Sequence, residues 1–290
     1  MLNIIPATGS IGAECFLLLS ENGAFLADTG YAFSAEATVQ NIARALGARS
    51  LDLILLTHSH YDHVGGLPAM KRAWPGAEAV AHHYAKEVFA RPGAKRVMRS
   101  LDADAAHKCG ERAAREAYTE AFAVDRTVGE GDVLRAGGAS ICVMEMPGHT
   151  KCSVSYYFQE EDLLVLSETA GVMLKTGEVI PAFIVSYDAT LEAIARAEAM
   201  APRRMLVSHS GELRGGAVTE YLRAARAATQ TAAELVLTEH ARGKDFEAIC
   251  AAYTEKFYIG SCREYQPPEA FLLNTRAMIA RLIAQTETRL

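Results

Sequence analysis

The chain reads Thr-His-Ser-His-Tyr-Asp-His-Val-Gly-Gly at residues 57–66, directly after an apolar run at residues 51–56. A run of this kind is typical of a strand that is buried on both faces, with helices packed above and below it. Side chains alternate along an extended chain, so His58 and His60 point to the same side. The spacing therefore indicates a metal site at the end of a buried strand.

The same stretch holds ligands for a second metal. Where the chain turns into a helix, Asp62 and His63 can face a neighbouring position, and the two glycines let the backbone pass close to it. Three later apolar runs, at residues 141–146, 163–166 and 204–207, predict strands that are each followed by a metal-binding side chain: His149, Glu168 and His209. Loops converge at strand ends in layered α/β folds, so these residues together form the ligand inventory of two metal ions.

The composition of the chain limits the classes of protein to which it can belong. The chain has 290 residues, of which 50% are hydrophobic, and a formal net charge of −6. The apolar share suits a sizeable core, and the acidic balance argues against nucleic acid as a partner. No apolar run is long enough to span a membrane, and nothing resembles a signal peptide. We expect a cytoplasmic protein with reduced cysteines that acts on a small molecule and, if it self-associates, forms a homodimer.

Two regions are predicted from the order of the elements. Alternating strands and helices indicate a catalytic domain over residues 1–212, with a helix-rich insertion at about 84–121. Over residues 213–290 the apolar residues recur at helical spacing, which predicts a helical extension packed on that domain. We expect the insertion and the extension to shape the substrate pocket. Ser34 and Gly47 predict the N-cap and the end of the first helix.

The chain resembles the metallo-β-lactamase superfamily over roughly residues 3–212. The resemblance rests on the H-x-H-x-D-H block, on an earlier Asp28-Thr29-Gly30 and on the later histidine and carboxylate positions in order. It implies an α/β (α+β) fold, a four-layer αβ/βα sandwich with the metal site at one edge of the paired sheets. The implied ligands are His58, His60 and His149 for one metal, and Asp62, His63 and His209 for the other.

Glu168 stands where the family has a bridging aspartate. Family members usually carry Asp there, commonly after Gly, whereas this chain has Ser-Glu-Thr at residues 167–169. The extra methylene moves the carboxylate by about a bond length, and metal–ligand distances are held to about 0.2 Å. Glu168 can bridge both metals with a shifted backbone, bind one metal only, or leave the second site weak. The sequence leaves these alternatives open.

Hydrolysis is the chemistry that such a site predicts. Two divalent ions draw the pKa of bound water to about 7, so a bridging hydroxide serves as the nucleophile. We expect zinc, with iron or manganese as alternatives, because histidine and carboxylate donors accept all three. Asp62 is also assigned to catalysis and Tyr187 to a contact with substrate or oxyanion. Asp28 is expected to orient a ligand histidine or its turn without binding metal.

Within the superfamily, the chain is similar to glyoxalase II-like hydrolases and to the alkylquinolone-pathway thioesterase branch. The T-H-x-H-x-D-H-x-G-G wording and the C-terminal helices carry this similarity. The predicted activity is therefore hydrolysis of a small-molecule thioester, ester or lactone. The alternative is a metal-binding regulatory or sensor protein of the same fold, with weak or no hydrolysis. The remaining histidines are expected to be structural or exposed: His82, His83, His107 and His240.

Overall fold

Two six-stranded sheets form the centre of the structure, a computed structural model that describes residues 1–114 and 122–287. The first sheet consists, in spatial order, of β1 (Asn3–Pro6), β2 (Phe16–Leu19), β3 (Ala24–Ala27), β4 (Leu53–Leu55), β5 (Glu78–His82) and β6 (Arg126–Val128). The second consists of β7 (Val133–Ala136), β8 (Ala139–Glu145), β9 (Val154–Phe158), β10 (Leu163–Leu166), β13 (Arg204–Val207) and β14 (Gly211–Arg214). A separate hairpin pairs β11 (Val172–Met173) with β12 (Val179–Ile180).

The helices flank these sheets. In the first half of the chain they are α1 (Ala35–Leu46), α2 (Tyr61–Val64), α3 (Leu67–Ala73), α4 (His83–Ala90) and α5 (Pro92–Lys108). In the second half they are α6 (Tyr187–Met200), α7 (Gly216–Ala241), α8 (Phe246–Phe257), α9 (Gly260–Tyr265) and α10 (Pro268–Glu287).

Parallel pairing brings the chemistry-bearing strand ends to one edge. Strands β3, β4 and β5 are parallel, with Ile54 opposite Leu26 on one side and Ala79 on the other. In the second sheet β10 and β13 are parallel, with Val165 opposite Leu206. Because parallel neighbours end at the same edge of their sheet, β4 ends beside β3 and β5 in the first sheet, and β10 ends beside β13 in the second.

Three apolar layers join the sheets and helices. Between the sheets, Phe25 and Leu55 of the first share one core with Tyr156 and Val165 of the second. The outer face of the first sheet packs on α1, α3 and α5, and the outer face of the second packs on α6 and α7. The four-layer αβ/βα arrangement predicted from the sequence is therefore confirmed.

The C-terminal helices share a further core with the β11–β12 hairpin. Ile180 of the hairpin belongs to the same buried cluster as Phe271 of α10. The predicted boundary after residue 212 falls inside β14, so the second sheet extends past it; the division into two domains stays a prediction. Within the predicted insertion the structure shows α4 and α5, and residues 115–121 lie outside the described part of the chain.

The first long helix begins and ends where the sequence predicts, but it is not capped as predicted. Helix α1 starts directly after Ser34, whose side chain makes no cap hydrogen bond. The Ser34 Oγ is buried and has no hydrogen-bond partner among the described residues. Gly47 ends the helix with a φ of +60°, a backbone conformation that glycine adopts at no steric cost.

All six cysteines are free, as the sequence predicts. Within residues 1–114 and 122–287, no helix combines the length and the apolar character needed to cross a bilayer.

Candidate metal centre

The site lies where strands of both sheets end. His58 and His60 follow β4, Glu168 follows β10, and His209 follows β13. These side chains gather into two groups whose ligand atoms all lie within 4.8 Å of one another. The first group is His58, His60, His149 and Glu168, and the second is Asp62, His63, Glu168 and His209.

Glu168 lies between the two groups and turns one carboxylate oxygen to each. Its Oε2 is 2.8 Å from His149 Nε2 and 3.7 Å from His58 Nε2. Its Oε1 is 2.6 Å from His209 Nε2 and 3.7 Å from His63 Nε2. The structure therefore brings the glutamate to both groups, in spite of the longer side chain.

Hydrogen bonds on the outer ring nitrogen orient four of the five histidines. In each case Nδ1 makes the contact. The pairs are His58 with Thr57 Oγ1 (3.0 Å), His63 with Asp28 Oδ2 (2.8 Å), His149 with the Ala182 carbonyl oxygen (2.9 Å) and His209 with Glu14 Oε2 (3.1 Å). In a neutral imidazole whose Nδ1 donates to such an acceptor, Nε2 carries a lone pair directed into the group. His60 instead turns its Nδ1 inward, to 2.9 Å from Nε2 of His149.

Asp28 makes the orienting contacts predicted for it, and it serves both groups. Its Oδ2 accepts from His63 Nδ1 and from the Thr57 hydroxyl, and its Oδ1 accepts from the Thr57 amide at 2.8 Å. The Thr57 oxygen in turn contacts His58 Nδ1. Asp28 therefore orients His63 directly and His58 through Thr57.

Glu14 is a functional residue that the sequence analysis did not single out. It opens the apolar run that becomes β2, lines the cavity described below, and accepts from His209 Nδ1. An acidic side chain at the start of a buried strand was the one available signal. Its partner lies 195 positions away, and no local spacing predicts that contact.

The paired glycines make the close backbone approach that the sequence predicts. A Cβ on Gly66 would lie 2.4 Å from the Thr29 carbonyl oxygen, and one on Gly65 would lie 2.5 Å from the Ala32 amide. The Thr29 amide also donates to the His63 carbonyl at 2.7 Å. The turn that carries His63 therefore sits directly against the residues that follow β3.

The donor set fits divalent metal ions. Nε2 of His58 and Nε2 of His63 are buried and have no hydrogen-bond partner among the described residues. A buried polar atom left in this state costs about 1–3 kcal/mol, and a cation facing the lone pair removes that cost. Imidazole nitrogens and carboxylate oxygens in groups of three or four are the ligands that zinc, iron and manganese take in proteins.

Burial and neighbouring charges shift the pKa values of the ligand side chains in different directions. Burial, reinforced by neighbouring imidazoles, holds the pKa of His58 and of His60 well below the usual range. Burial also acts to lower the pKa of His63, but Asp62 and the other carboxylates beside it raise that pKa to about 10. Burial opposes the charged form of Glu168, yet the histidines on either side hold its pKa well below normal.

A cavity of about 860 Å³ opens onto both groups. His60, Asp62, His149, Glu168 and His209 lie on its wall. Side chains of α5, of the β11–β12 hairpin and of α9 and α10 line the rest. Residues of the predicted insertion and of the helical extension therefore shape the cavity, as the sequence predicts.

Tyr187 lies at the start of α6, and its ring packs against Phe183 with the ring centroids 5.5 Å apart. It does not belong to the described residues that line the cavity. Its contact with the substrate stays a prediction. Tyr61, within the H-x-H-x-D-H stretch, does line the cavity.

A third cluster of ligand-type residues, His82, His83 and Glu145, lies outside the cavity wall. Nδ1 of His82 accepts from the Tyr84 amide, and Nε2 lies 3.0 Å from Glu145 Oε1. Both ring nitrogens of His82 are therefore satisfied without a metal, in agreement with the structural role predicted for this histidine.

The family profile of the metallo-beta-lactamase superfamily matches residues 11–209. The match covers both ligand groups and more than half of the chain. The protein belongs to the metallo-β-lactamase superfamily.

Curated relatives are similar over part of their length. A hydroxyacylglutathione hydrolase of Bradyrhizobium sp. (strain ORS 278) is 30% identical over 160 residues, which are 53% of this chain and 50% of that protein. Another hydroxyacylglutathione hydrolase, from Methylobacterium nodulans, is 34% identical over 116 residues, which are 40% of this chain and 32% of that protein. The chain thus spans half or less of the length of these relatives.

Solved structures share the fold. A metallo-beta-lactamase family protein from Thermus thermophilus superposes with a TM-score of 0.67 at 18% identity, covering 96% of this chain and 93% of that one. An archaeal metallo-beta-lactamase superfamily protein from Sulfolobus tokodaii gives a TM-score of 0.59 at 22% identity, covering 77% and 84%. At this level of identity the likeness concerns the architecture alone.

Proposed function

We propose that the protein is a dinuclear metal-dependent hydrolase of a small-molecule thioester, ester or lactone. The observation that carries the proposal is the position of Glu168, with one oxygen turned to each of two groups of oriented ring nitrogens. Membership of the superfamily supports the proposal. The relatives named hydroxyacylglutathione hydrolases support an acyl compound as the substrate.

Each group would hold one divalent ion. His58, His60 and His149 are the proposed ligands of the first, Asp62, His63 and His209 are those of the second, and Glu168 is shared. Zinc is the metal we expect, and iron or manganese suits the same donors. The fixed Nδ1 contacts support this assignment, because an oriented imidazole binds a metal without first having to be ordered.

When bound, the two ions would supply hydroxide at neutral pH and polarise the carbonyl of the substrate. Side chains of the cavity wall would take part in the remaining steps. Asp62 lines the cavity, with its Oδ2 3.6 Å from both His63 Nε2 and His209 Nε2. Its position on the cavity wall supports the catalytic role that we assign to it, accepting a proton during hydrolysis.

Metal content measured together with turnover tests the proposal. The purified protein is assayed by elemental analysis and against a panel of thioesters, lactones and aryl esters. We expect turnover that is lost on chelation and restored by added metal, and a loss of at least about 100-fold in His60→Ala. His240→Ala is the matched control, because that histidine is 40% exposed and pairs with Glu287 at 3.5 Å.

A fully metal-loaded protein that is inert to the whole panel would contradict the hydrolase. That outcome would favour the second candidate, a metal-binding regulatory or sensor protein of the same fold. The glutamate in place of the family's aspartate is the feature that favours this candidate. Its position between the two groups reduces that support, because each carboxylate oxygen of the longer side chain lies next to one group.

A further inference from the structure

Exposed apolar side chains concentrate around the opening of the cavity. In the described part of the chain, the exposed large hydrophobic residues are Met1, Ile11, Val97, Val133, Leu272 and Leu273. Ile11, Val97 and Leu273 line the cavity, with 58%, 50% and 49% of their surface exposed. They come from the β1–β2 loop, from α5 and from α10, so local sequence does not bring them together. We call these three the rim residues.

The apolar lining continues from the rim residues into the cavity. Met98 of α5, Leu174 beside β11, and Phe271 and Met278 of α10 are buried and line the wall. Exposed hydrophobic residues scattered singly over a surface need no explanation, whereas a contiguous set that leads into a pocket marks a binding surface. Apolar side chains therefore line both the exposed rim and buried parts of the cavity wall.

Charge on the cavity wall is confined to two places. The acidic residues Glu14, Asp62 and Glu168 all contact the ligand groups. Among the described residues that line the cavity, Lys175 is the sole lysine or arginine, and its Nζ donates to Tyr265 Oη at 3.1 Å. Away from the two ligand groups, a strongly anionic part of a substrate would find little on the wall to pair with, so this part of the wall is suited to an uncharged, apolar group.

We propose that the cavity binds its substrate through an apolar group, an alkyl chain or ring system, that extends from the scissile carbonyl to the rim residues. The inference rests on the proposed function for the position of the carbonyl. The cavity volume supports a group of this size, since pockets of about 300–1,000 Å³ bury most of a drug-sized ligand. Each methylene that the wall buries contributes about 0.8 kcal/mol, which is roughly a fourfold gain in binding.

Two series of thioesters test the inference on the metal-loaded protein. One series lengthens the acyl group from acetyl to octanoyl, and the other lengthens the alkyl thiol over the same range. We expect kcat/KM to rise about fourfold per methylene in at least one series until the cavity is filled. A flat or falling profile in both series would overturn the apolar subsite and leave the hydrolase intact.

A binding measurement separates this inference from the proposed function. If no thioester turns over, calorimetric titration with octanoate and with acetate decides the subsite alone, and the hydrolase proposal fails only if the lactones and aryl esters are inert as well. Binding of octanoate at least about tenfold tighter than acetate supports the subsite, since several added methylenes are buried. Equal affinity for the two carboxylates overturns it.

Leu273→Ser and Leu272→Ser form a matched pair. The two residues are neighbours on α10 and both are exposed, but only Leu273 lines the cavity. We expect Leu273→Ser to lower the ratio of octanoyl to acetyl turnover about threefold to tenfold. Leu272→Ser should leave that ratio and the basal turnover unchanged. The same change in both variants would show that the rim has no part in selecting the substrate.

Discussion

Two carboxylates that bind no metal in our assignment determine how the histidines point. Asp28 and His209 both adopt left-handed backbone conformations, with φ of +57° and +62°, which non-glycine residues rarely do. Such conformations persist where surrounding contacts hold them. Here the contacts are those of Asp28 with Thr57 and His63, and of His209 with Glu14. The backbone that follows β3 and β13 therefore helps to direct the ring nitrogens of His63 and His209 toward the second ligand group.

Removing the Glu14 carboxylate should weaken the second group. In Glu14→Ala the Nδ1 of His209 loses its acceptor, so the ring is no longer held with Nε2 toward Asp62 and Glu168. We expect affinity for a divalent ion at this group to fall about 10–100-fold in a metal titration. Glu36→Ala, which removes an exposed carboxylate next to Arg72, is the control. Equal metal affinity in both variants would refute the orienting role of Glu14.

Shortening the side chain of Glu168 should prevent the binding of one of the two metal ions. Aspartate withdraws the carboxylate by about a bond length, so it cannot keep the contacts of Oε1 and Oε2 with both groups. We expect Glu168→Asp to bind about one ion per chain by elemental analysis, with turnover reduced about 10–100-fold. Glu87→Asp, an exposed partner of Arg91, is the matched control. Two ions and faster turnover in Glu168→Asp would mean that the glutamate detunes the site.

At the level of elements, the sequence predicts the strands that carry ligands with little error. The runs at 163–166 and 204–207, which precede Glu168 and His209, become β10 and β13 with the same bounds, because fully buried strands read as continuous apolar runs. The runs at 51–56 and 141–146 become β4 (Leu53–Leu55) and β8 (Ala139–Glu145), whose ends differ from the predicted ones by one or two residues. The β11–β12 hairpin escapes prediction, since two-residue strands hold too few side chains to show a period. The sequence predicts Ser34 as the N-cap, but its side chain makes no capping hydrogen bond, because that bond depends on backbone geometry that residue type does not determine.

The loop between β8 and β9 depends on a glycine. Gly148 has a φ of +140°, and a Cβ there would lie 2.2 Å from Thr190 Oγ1 of α6. We expect Gly148→Ala to lower the free energy of unfolding by about 1–3 kcal/mol and to displace His149, which weakens metal binding at the first group.

Denaturant unfolding with and without metal checks this expectation. Gly76→Ala is the control, since a Cβ at Gly76 meets nothing within 4 Å and its φ is not in the positive range. It should be neutral or slightly stabilising. If the two variants unfold at the same denaturant concentration, the close contact of Gly148 with α6 does not constrain the loop.

At the scale of the whole molecule, the sequence predicts which side chains gather in the two groups better than it predicts the cavity. The histidines and carboxylates fall at strand ends, where a local pattern is sufficient to find them. The wall is different, because Met98 and Met278 line one cavity from helices far apart in the chain. Helical spacing shows which face of α5 or α10 is apolar, but it does not show what that face meets. The contact between Glu14 and His209 also joins residues far apart in the chain, so no local pattern in the sequence predicts it.

Metal binding should also stabilise the whole fold. Both groups join strand ends of the two sheets, so the native state binds ions through a geometry that the unfolded chain lacks. Each site filled at 100 times its Kd adds about 2.7 kcal/mol to the free energy of unfolding. We expect a chelator to lower the thermal midpoint of the metal-loaded protein and to have a smaller effect on His60→Ala. An unchanged midpoint after complete removal of metal would contradict this coupling.

The proposed hydrolase depends above all on two ions bound on either side of Glu168. Anomalous scattering from a crystal of the metal-loaded protein, recorded at the absorption edge of the metal, shows whether both are present. We expect two peaks, one enclosed by His58, His60 and His149 and the other by Asp62, His63 and His209, with Glu168 contacting both. A single peak, or none at these residues, would refute the dinuclear centre.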